Sequence, residues 1–144
     1  MHLDPYFNII SPELAVLVEL RMNTLDKPAM DAGQSKVDVY ELEDDGYKLK
    51  AANVEFQKFL EEEMGFKLIP VSRGNQLCYG VNFLTIAPNK ILAIDGVSIE
   101  YKQTLKDARV DATWMDFHNL TGGYGATHCT TQVLLRKDTT TNNK

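Results

Sequence analysis

The chain has 144 residues, of which 44% are hydrophobic and 24% charged, with a net charge of -5. These are the proportions of a globular protein of one domain or a piece of one, not of a disordered chain. The acidic balance, without any lysine/arginine cluster, argues against nucleic acid and against an anionic membrane surface as partners. No apolar run approaches the roughly 20 residues needed to cross a bilayer. No basic segment followed by an apolar core opens the chain, so a secretory signal is not expected. The two cysteines, Cys78 and Cys129, fit a reduced, cytoplasmic setting better than a disulfide-stapled one.

In chain order, Pro5 to Ile10 reads as a short strand, Ser11-Pro12-Glu13 as a turn and Leu14 to Leu20 as a buried strand. Arg21 to Ser35 contains Pro28 and Gly33 with little periodicity and is expected to be a loop. Val37 to Leu42 and Tyr47 to Leu49, joined by Asp44-Asp45-Gly46, predict a hairpin. Asn53 is expected to cap a helix to about Met64, with Phe56, Phe59, Leu60 and Met64 on one face and Glu61, Glu62 and Glu63 towards solvent. Gly65 suits a left-handed helix end. Phe66 to Val71 reads as a strand, stopped by Ser72-Arg73-Gly74-Asn75.

A similar pattern follows. Val81 to Ala87 and Ile91 to Ile94 read as strands, Ser98 caps a helix to about Ala108, and Ala112 to Phe117 reads as the next strand. The sequence therefore predicts an α/β fold with two successive β-β-α-β units, a repeat architecture despite little shared sequence. Thr131 to Leu135 is expected to begin a further strand, and residues 138–144 to form a disordered tail.

The chemistry concentrates in Leu120-Thr121-Gly122-Gly123-Tyr124-Gly125-Ala126-Thr127-His128-Cys129. A single cysteine between a glycine-rich turn and an apolar run is placed like a nucleophile. Glycine permits close backbone approach, and Gly122, Gly123 and Gly125 could present N–H groups to a thiolate. Cys78, in an ordinary context, reads as an inert buried thiol. His2 and Asp4 are two residues apart, so on an extended segment they face the same side. That gives an imidazole for proton transfer and a carboxylate to orient it or to bind a cation. His128 and His118 compete with His2 for that part, but His128 neighbours Cys129, so on a strand it would point to the opposite face and serve packing or hydrogen bonding. No zinc spacing, dinucleotide fingerprint or Walker loop is present, and no metal or cofactor is expected.

These motifs resemble the guanidino-group-modifying enzymes, the superfamily of arginine deiminase and glycine amidinotransferase. Met1-His2-Leu3-Asp4 followed by Phe7 resembles their histidine–aspartate motif. Asn82-Phe83-Leu84-Thr85-Ile86-Ala87-Pro88 resembles the Asn-x-Leu-x-x-x-Pro strand of the deiminases, and Gly122-Gly123 through His128-Cys129 their terminal cysteine motif. The long separation of His2 and Cys129 fits the deiminase layout better than the amidinotransferase one, whereas Phe7-Asn8-Ile9-Ile10 is more similar to the latter. The resemblance implies a pentein fold, a five-bladed α/β propeller of ββαβ modules, about two of which are present. On this reading residues 1–137 are the C-terminal part of a pentein catalytic domain.

The implied reaction is hydrolysis of a small guanidino compound to a ureido product and ammonia through a covalent intermediate on Cys129. His2 would move protons, and Asp4, Asn82, Gly123 and Tyr124 would line the substrate. The alternatives are an amidinotransferase with an amine acceptor, or a non-catalytic truncated remnant. The family also needs two acidic residues from modules before the histidine motif, so activity is expected to require an N-terminal half. Tyr124 stands where the deiminases carry an arginine that grips the substrate carboxylate, which favours a substrate without one, such as agmatine. Leu3 and Ile86-Ala87-Pro88 favour the arginine type instead. The sequence gives no means to choose an oligomeric state.

Overall fold

The computed structural model describes residues 3–22 and 35–135. His2, most of the expected 21–35 loop and the expected tail at 138–144 lie outside the described residues. The strands are β1 (Phe7–Ser11), β2 (Leu14–Val18), β3 (Lys36–Glu43), β4 (Gly46–Glu55), β5 (Lys67–Val71), β6 (Leu84–Ala87), β7 (Lys90–Ile94) and β8 (Asp111–Met115). The helices are α1 (Phe56–Lys58), continued by a π turn over Phe59–Glu63, then α2 (Arg73–Leu77), α3 (Ile99–Asp107) and α4 (His118–Thr121).

Two three-stranded sheets repeat one topology. In the first, β1 is antiparallel to β2 and β2 is parallel to β5. In the second, β6 is antiparallel to β7 and β7 is parallel to β8. Each strand pair is irregular at its hairpin end, between Ile9 and Ser11 and between Thr85 and Ala87. The parallel partner in each case returns after a helical crossover, as a parallel pair must. The protein is thus mixed α/β. The β3–β4 hairpin forms a separate two-stranded sheet inserted between β2 and α1.

Every residue of β2, Leu14 to Val18, is buried. Its two faces serve different cores, which explains its unbroken apolar run. Leu14, Val16 and Val18 join Ile10, Val71, Phe83, Ile91 and Leu105 in a core that spans both sheets. Ala15 and Leu17 join Met22, Leu60 and Phe66 in a second. Phe7 meets Phe56 and Phe66 edge-to-face, with centroids 5.5 and 6.4 Å apart. Tyr101 is buried, and its hydroxyl donates to Gly80 O at 3.0 Å.

Several expectations are corrected. Asn53 caps no helix. It sits in β4 with φ 58, its N–H donating to Asp38 Oδ1 at 2.9 Å. An asparagine tolerates that left-handed backbone and absorbs the local register shift, so the helix starts only at Phe56. Met64 is 52% exposed instead of facing the core. Ser72 starts a helix instead of ending a strand, its Oγ accepting from Asn75 N at 3.3 Å; five helical residues are too few to show periodicity. Residues 131–135 form no strand. Leu134 and Leu135 are 94% and 83% exposed, because no described neighbour pairs with that segment. Cys78 is exposed, not buried. Gly65 does end its helix with φ 72.

Burial raises the Tyr101 phenol well above its ordinary value near 10. A group whose acid form is favoured by folding supports stability below the unfolded pKa and loses that support as pH climbs above it. Urea midpoints measured from pH 8 to 11 should therefore fall more steeply for the native protein than for Tyr101→Phe.

Candidate active site

Three chain segments meet at one buried asparagine. Leu3 O accepts from Tyr6 N and Phe7 N at 2.9 and 3.0 Å, closing a turn that presents Asp4 just before β1. Between α2 and β6 the chain turns at Tyr79, φ 60, so β6 begins only at Leu84 and Asn82 lies in the turn before it. Gly80 is required there: a Cβ would lie 2.9 Å from Asn75 O. Asn8 of β1 clasps this turn from the other side. Its Nδ2 donates to both Val81 O and Phe83 O at 2.8 Å, the carbonyls flanking Asn82.

Cys129 does not precede a strand. It sits in a tight turn, where Thr130 N donates to Ala126 O at 3.1 Å and Thr130 Oγ1 to the same carbonyl at 3.0 Å. Gly125 packs directly under it, since a Cβ at that position would lie 2.9 Å from Cys129 Cβ. This close approach, not donation of N–H groups to sulfur, is what the third glycine supplies. The Gly123 N–H is engaged with Leu120 O at 2.9 Å inside the turn after α4.

Asn82 is 4% exposed and uses both ends of its amide. Nδ2 donates to Asp4 Oδ2 at 2.8 Å and to Cys129 Sγ at 2.9 Å. Oδ1 accepts from His128 N at 3.0 Å and Cys129 N at 3.3 Å. The Cys129 thiol in turn donates to Asp4 Oδ2 at 3.0 Å. His128 is on the same side: its Nδ1 lies 3.5 Å from Asp4 Oδ2. The expectation that His128 faces away from Cys129 fails because alternation of side chains belongs to strands, and residues 127–130 form a turn. Asp4 therefore bridges a thiol and an imidazole, its side chain 12% exposed.

The constellation lines a cavity of about 780 Å³. Gly123 and Tyr124 contribute to the same wall, although the Tyr124 side chain is 92% exposed. Of the residues singled out from the sequence, Cys129, Asp4, Asn82, Gly123 and Tyr124 thus converge, while His2 lies outside the described residues. Sequence reasoning missed the parts of Asn8 and His128; the only signal for Asn8 was a polar residue within an apolar strand. Among the described residues no group of three His, Cys, Asp or Glu side chains is arranged to hold a metal ion, and no helix is long and apolar enough to cross a membrane.

A thiol, a carboxylate and a carboxamide in mutual contact define a cysteine-centred site with a fixed anion beside the sulfur. Comparison with known proteins gives this class a family. The arginine deiminase family model matches residues 1–136, and the chain belongs to that family. An arginine deiminase from Halobacterium salinarum is 32% identical over 161 residues, an alignment that covers 94% of this chain and 30% of that relative. The chain thus spans about 30% of the length of the curated relative it matches.

Removing the Asn82 side chain takes the Oδ1 acceptor from the His128 and Cys129 N–H groups and the Nδ2 donor from Asp4 and Cys129 Sγ, a loss of about 0.5–1.5 kcal/mol for each typical bond. Asn82→Ala should lower the urea midpoint accordingly. Gly125→Ala should displace the Cys129 turn, which a changed Cys129 alkylation rate at unchanged Cys78 rate would report.

Proposed function

We propose that this chain carries the nucleophilic centre of a guanidino hydrolase, converting a small arginine-like guanidino compound to a ureido product and ammonia. The observation that supports this most is the shared contact of Cys129 Sγ and Asn82 Nδ2 with one carboxylate oxygen of Asp4. A guanidinium that binds Asp4 through charge-assisted hydrogen bonds brings its central carbon to the sulfur.

In the proposed sequence, the thiol gives its proton to His2, which later passes it to the leaving nitrogen, and the Sγ–C bond forms. The C–N bond then breaks, and the departing nitrogen takes a proton and leaves as ammonia. Water adds to the resulting covalent intermediate, the C–S bond breaks, and the ureido product and the thiol are released. His2, two residues before Asp4, is assigned both proton transfers: donation to the leaving nitrogen and activation of water. Asp4 anchors the guanidinium. Asn82 holds carboxylate and sulfur at one spacing, and His128 steadies the same Asp4 oxygen, Oδ2. Water as acceptor makes this a hydrolase; an amine in its place would make it an amidinotransferase.

The same reading takes the two sheets of matching topology as two modules of a pentein propeller, with residues 1–137 as the C-terminal part of its catalytic domain. The repeated antiparallel-then-parallel order of the two sheets supports it.

Ammonia release from arginine tests the scheme. Cys129→Ala should abolish it, and Asp4→Asn should lower kcat/KM by about 10- to 100-fold, the worth of hydrogen bonds to a charged group. His2→Ala should lower kcat by about 100-fold or more, and His128→Ala by much less. Residual turnover in Cys129→Ala would remove the covalent route. Ammonia release that occurs only when an amine is added would replace hydrolysis by transfer.

A further inference from the structure

The turn that carries Asn82 has its backbone carbonyls engaged one by one. Asn82 N donates to Tyr79 O at 2.9 Å, the Tyr101 hydroxyl to Gly80 O at 3.0 Å, and Phe83 N to Val81 O at 3.1 Å. The last of these closes a three-residue turn with Asn82 at its apex. All three contacts lie within the turn itself or come from α3, the crossover helix of the second sheet. Asn8 reaches the turn from the first sheet instead. Half-buried on β1, it has its whole amide in use: Oδ1 accepts from Ile9 N at 2.9 Å, and Nδ2 donates to Val81 O and Phe83 O, one carbonyl on each side of the apex. Asp4, whose carboxylate Asn82 Nδ2 touches, stands just before the same strand. One stretch of chain therefore holds Asn82 twice, by its backbone through Asn8 and by its amide through Asp4. Asn8 itself is not among the described residues that line the cavity.

An asparagine is a poor strand former, and β1 otherwise consists of Phe7, Ile9, Ile10 and Ser11. What it supplies there is a pair of donors on one nitrogen, which no apolar residue has. A three-residue turn is held by a single backbone bond, so its apex side chain swings when the flanking peptide planes rotate. Donations to the carbonyls on either side of the apex fix both planes, and with them the direction in which the Asn82 side chain leaves the backbone. We infer that Asn8 is a positioning residue for the thiol. Acting through Asn82, it sets where Nδ2 stands between Cys129 Sγ and Asp4 Oδ2, and hence the approach of the sulfur to the guanidinium carbon. The inference deepens the reading of Cys129 as the nucleophile and rests on it for its effect on turnover.

A double-mutant cycle of Asn8→Ala and Asn82→Ala tests this, with two readouts. One is the alkylation rate of Cys129 relative to the exposed Cys78, which needs no turnover. The other is kcat and KM for ammonia release from arginine. Asn8→Ala should shift the alkylation ratio by about 2- to 10-fold, the worth of one typical hydrogen bond, in the same direction as Asn82→Ala. It should lower kcat by a similar factor and leave KM within about twofold of the native value. In the Asn82→Ala background Asn8→Ala should move neither quantity further, because the contact it acts through is already gone. Asn8→Ser, which keeps a single donor, should fall between, and it serves for the same cycle if the alanine variant does not fold. A lowered urea midpoint with an unchanged alkylation ratio would make Asn8 purely structural and overturn the proposal. Equal effects of Asn8→Ala in both backgrounds would overturn it too. A shifted ratio that vanishes in the Asn82→Ala background, without ammonia release by the native protein, would keep Asn8 as the positioning residue and instead defeat hydrolysis as the reaction.

Discussion

The site depends on one carboxamide. Asn82 is a buried side chain with a single amide, and it joins two turns that also touch each other directly through Cys129 Sγ and His128 Nδ1 on Asp4 Oδ2. Its nitrogen reaches the acid and the sulfur; its oxygen reaches two backbone N–H groups of the cysteine turn. An amide can do this because it donates and accepts at opposite ends. A carboxylate in its place could not donate, and would set a second negative charge against Asp4. An apolar residue would supply neither the donor nor the acceptor. The spacing of thiol and carboxylate is therefore set largely by one amide that contacts both.

What holds Asn82 is the packing of one sheet on the other. Asn8 lies on β1, the outer strand of the first sheet, and clasps the turn that leads into β6. Thr85 Oγ1 donates to Ile9 O and Asn89 N to Ile10 O, so the two sheets are also joined along β1 and β6. The core beneath draws from both, with β2 buried on each face. In this arrangement the Asp4 turn belongs to the first sheet, the Asn82 turn to the second, and the Cys129 turn follows the second. Loops carry the chemistry and a shared core sets their distances, the usual division of labour between scaffold and site.

The sequence made the two sheets legible because their strands are short apolar runs separated by strong turn residues, and because Ser98 and Gly65 mark helix ends by simple side-chain and backbone chemistry. It misled where a local signal had two uses. Asn53 reads as a helix cap, yet an asparagine serves equally well at a positive φ inside a bulged strand. Ser72 reads as a turn residue, yet it caps a helix too short to be seen. Val133 to Leu135 reads as a strand, but apolar sequence becomes a strand only with a partner. That last error carried over to His128, whose side was assigned by strand alternation. For the candidate site, Cys129, Asp4 and Asn82 were legible from motif and residue type. The clasp by Asn8 was not, because it depends on contacts between residues far apart in sequence.

The central claim is that the Cys129 sulfur, held beside Asp4 by Asn82, attacks the guanidinium carbon. Its most direct test is rapid acid quenching of the protein during incubation with arginine, followed by mass mapping of the cysteine-bearing peptides. The account predicts a covalent adduct on the peptide containing Cys129, none on that containing Cys78, and a diminished adduct in Asn82→Ala. Turnover without any adduct on Cys129, or an adduct that forms equally on both cysteines, would contradict it.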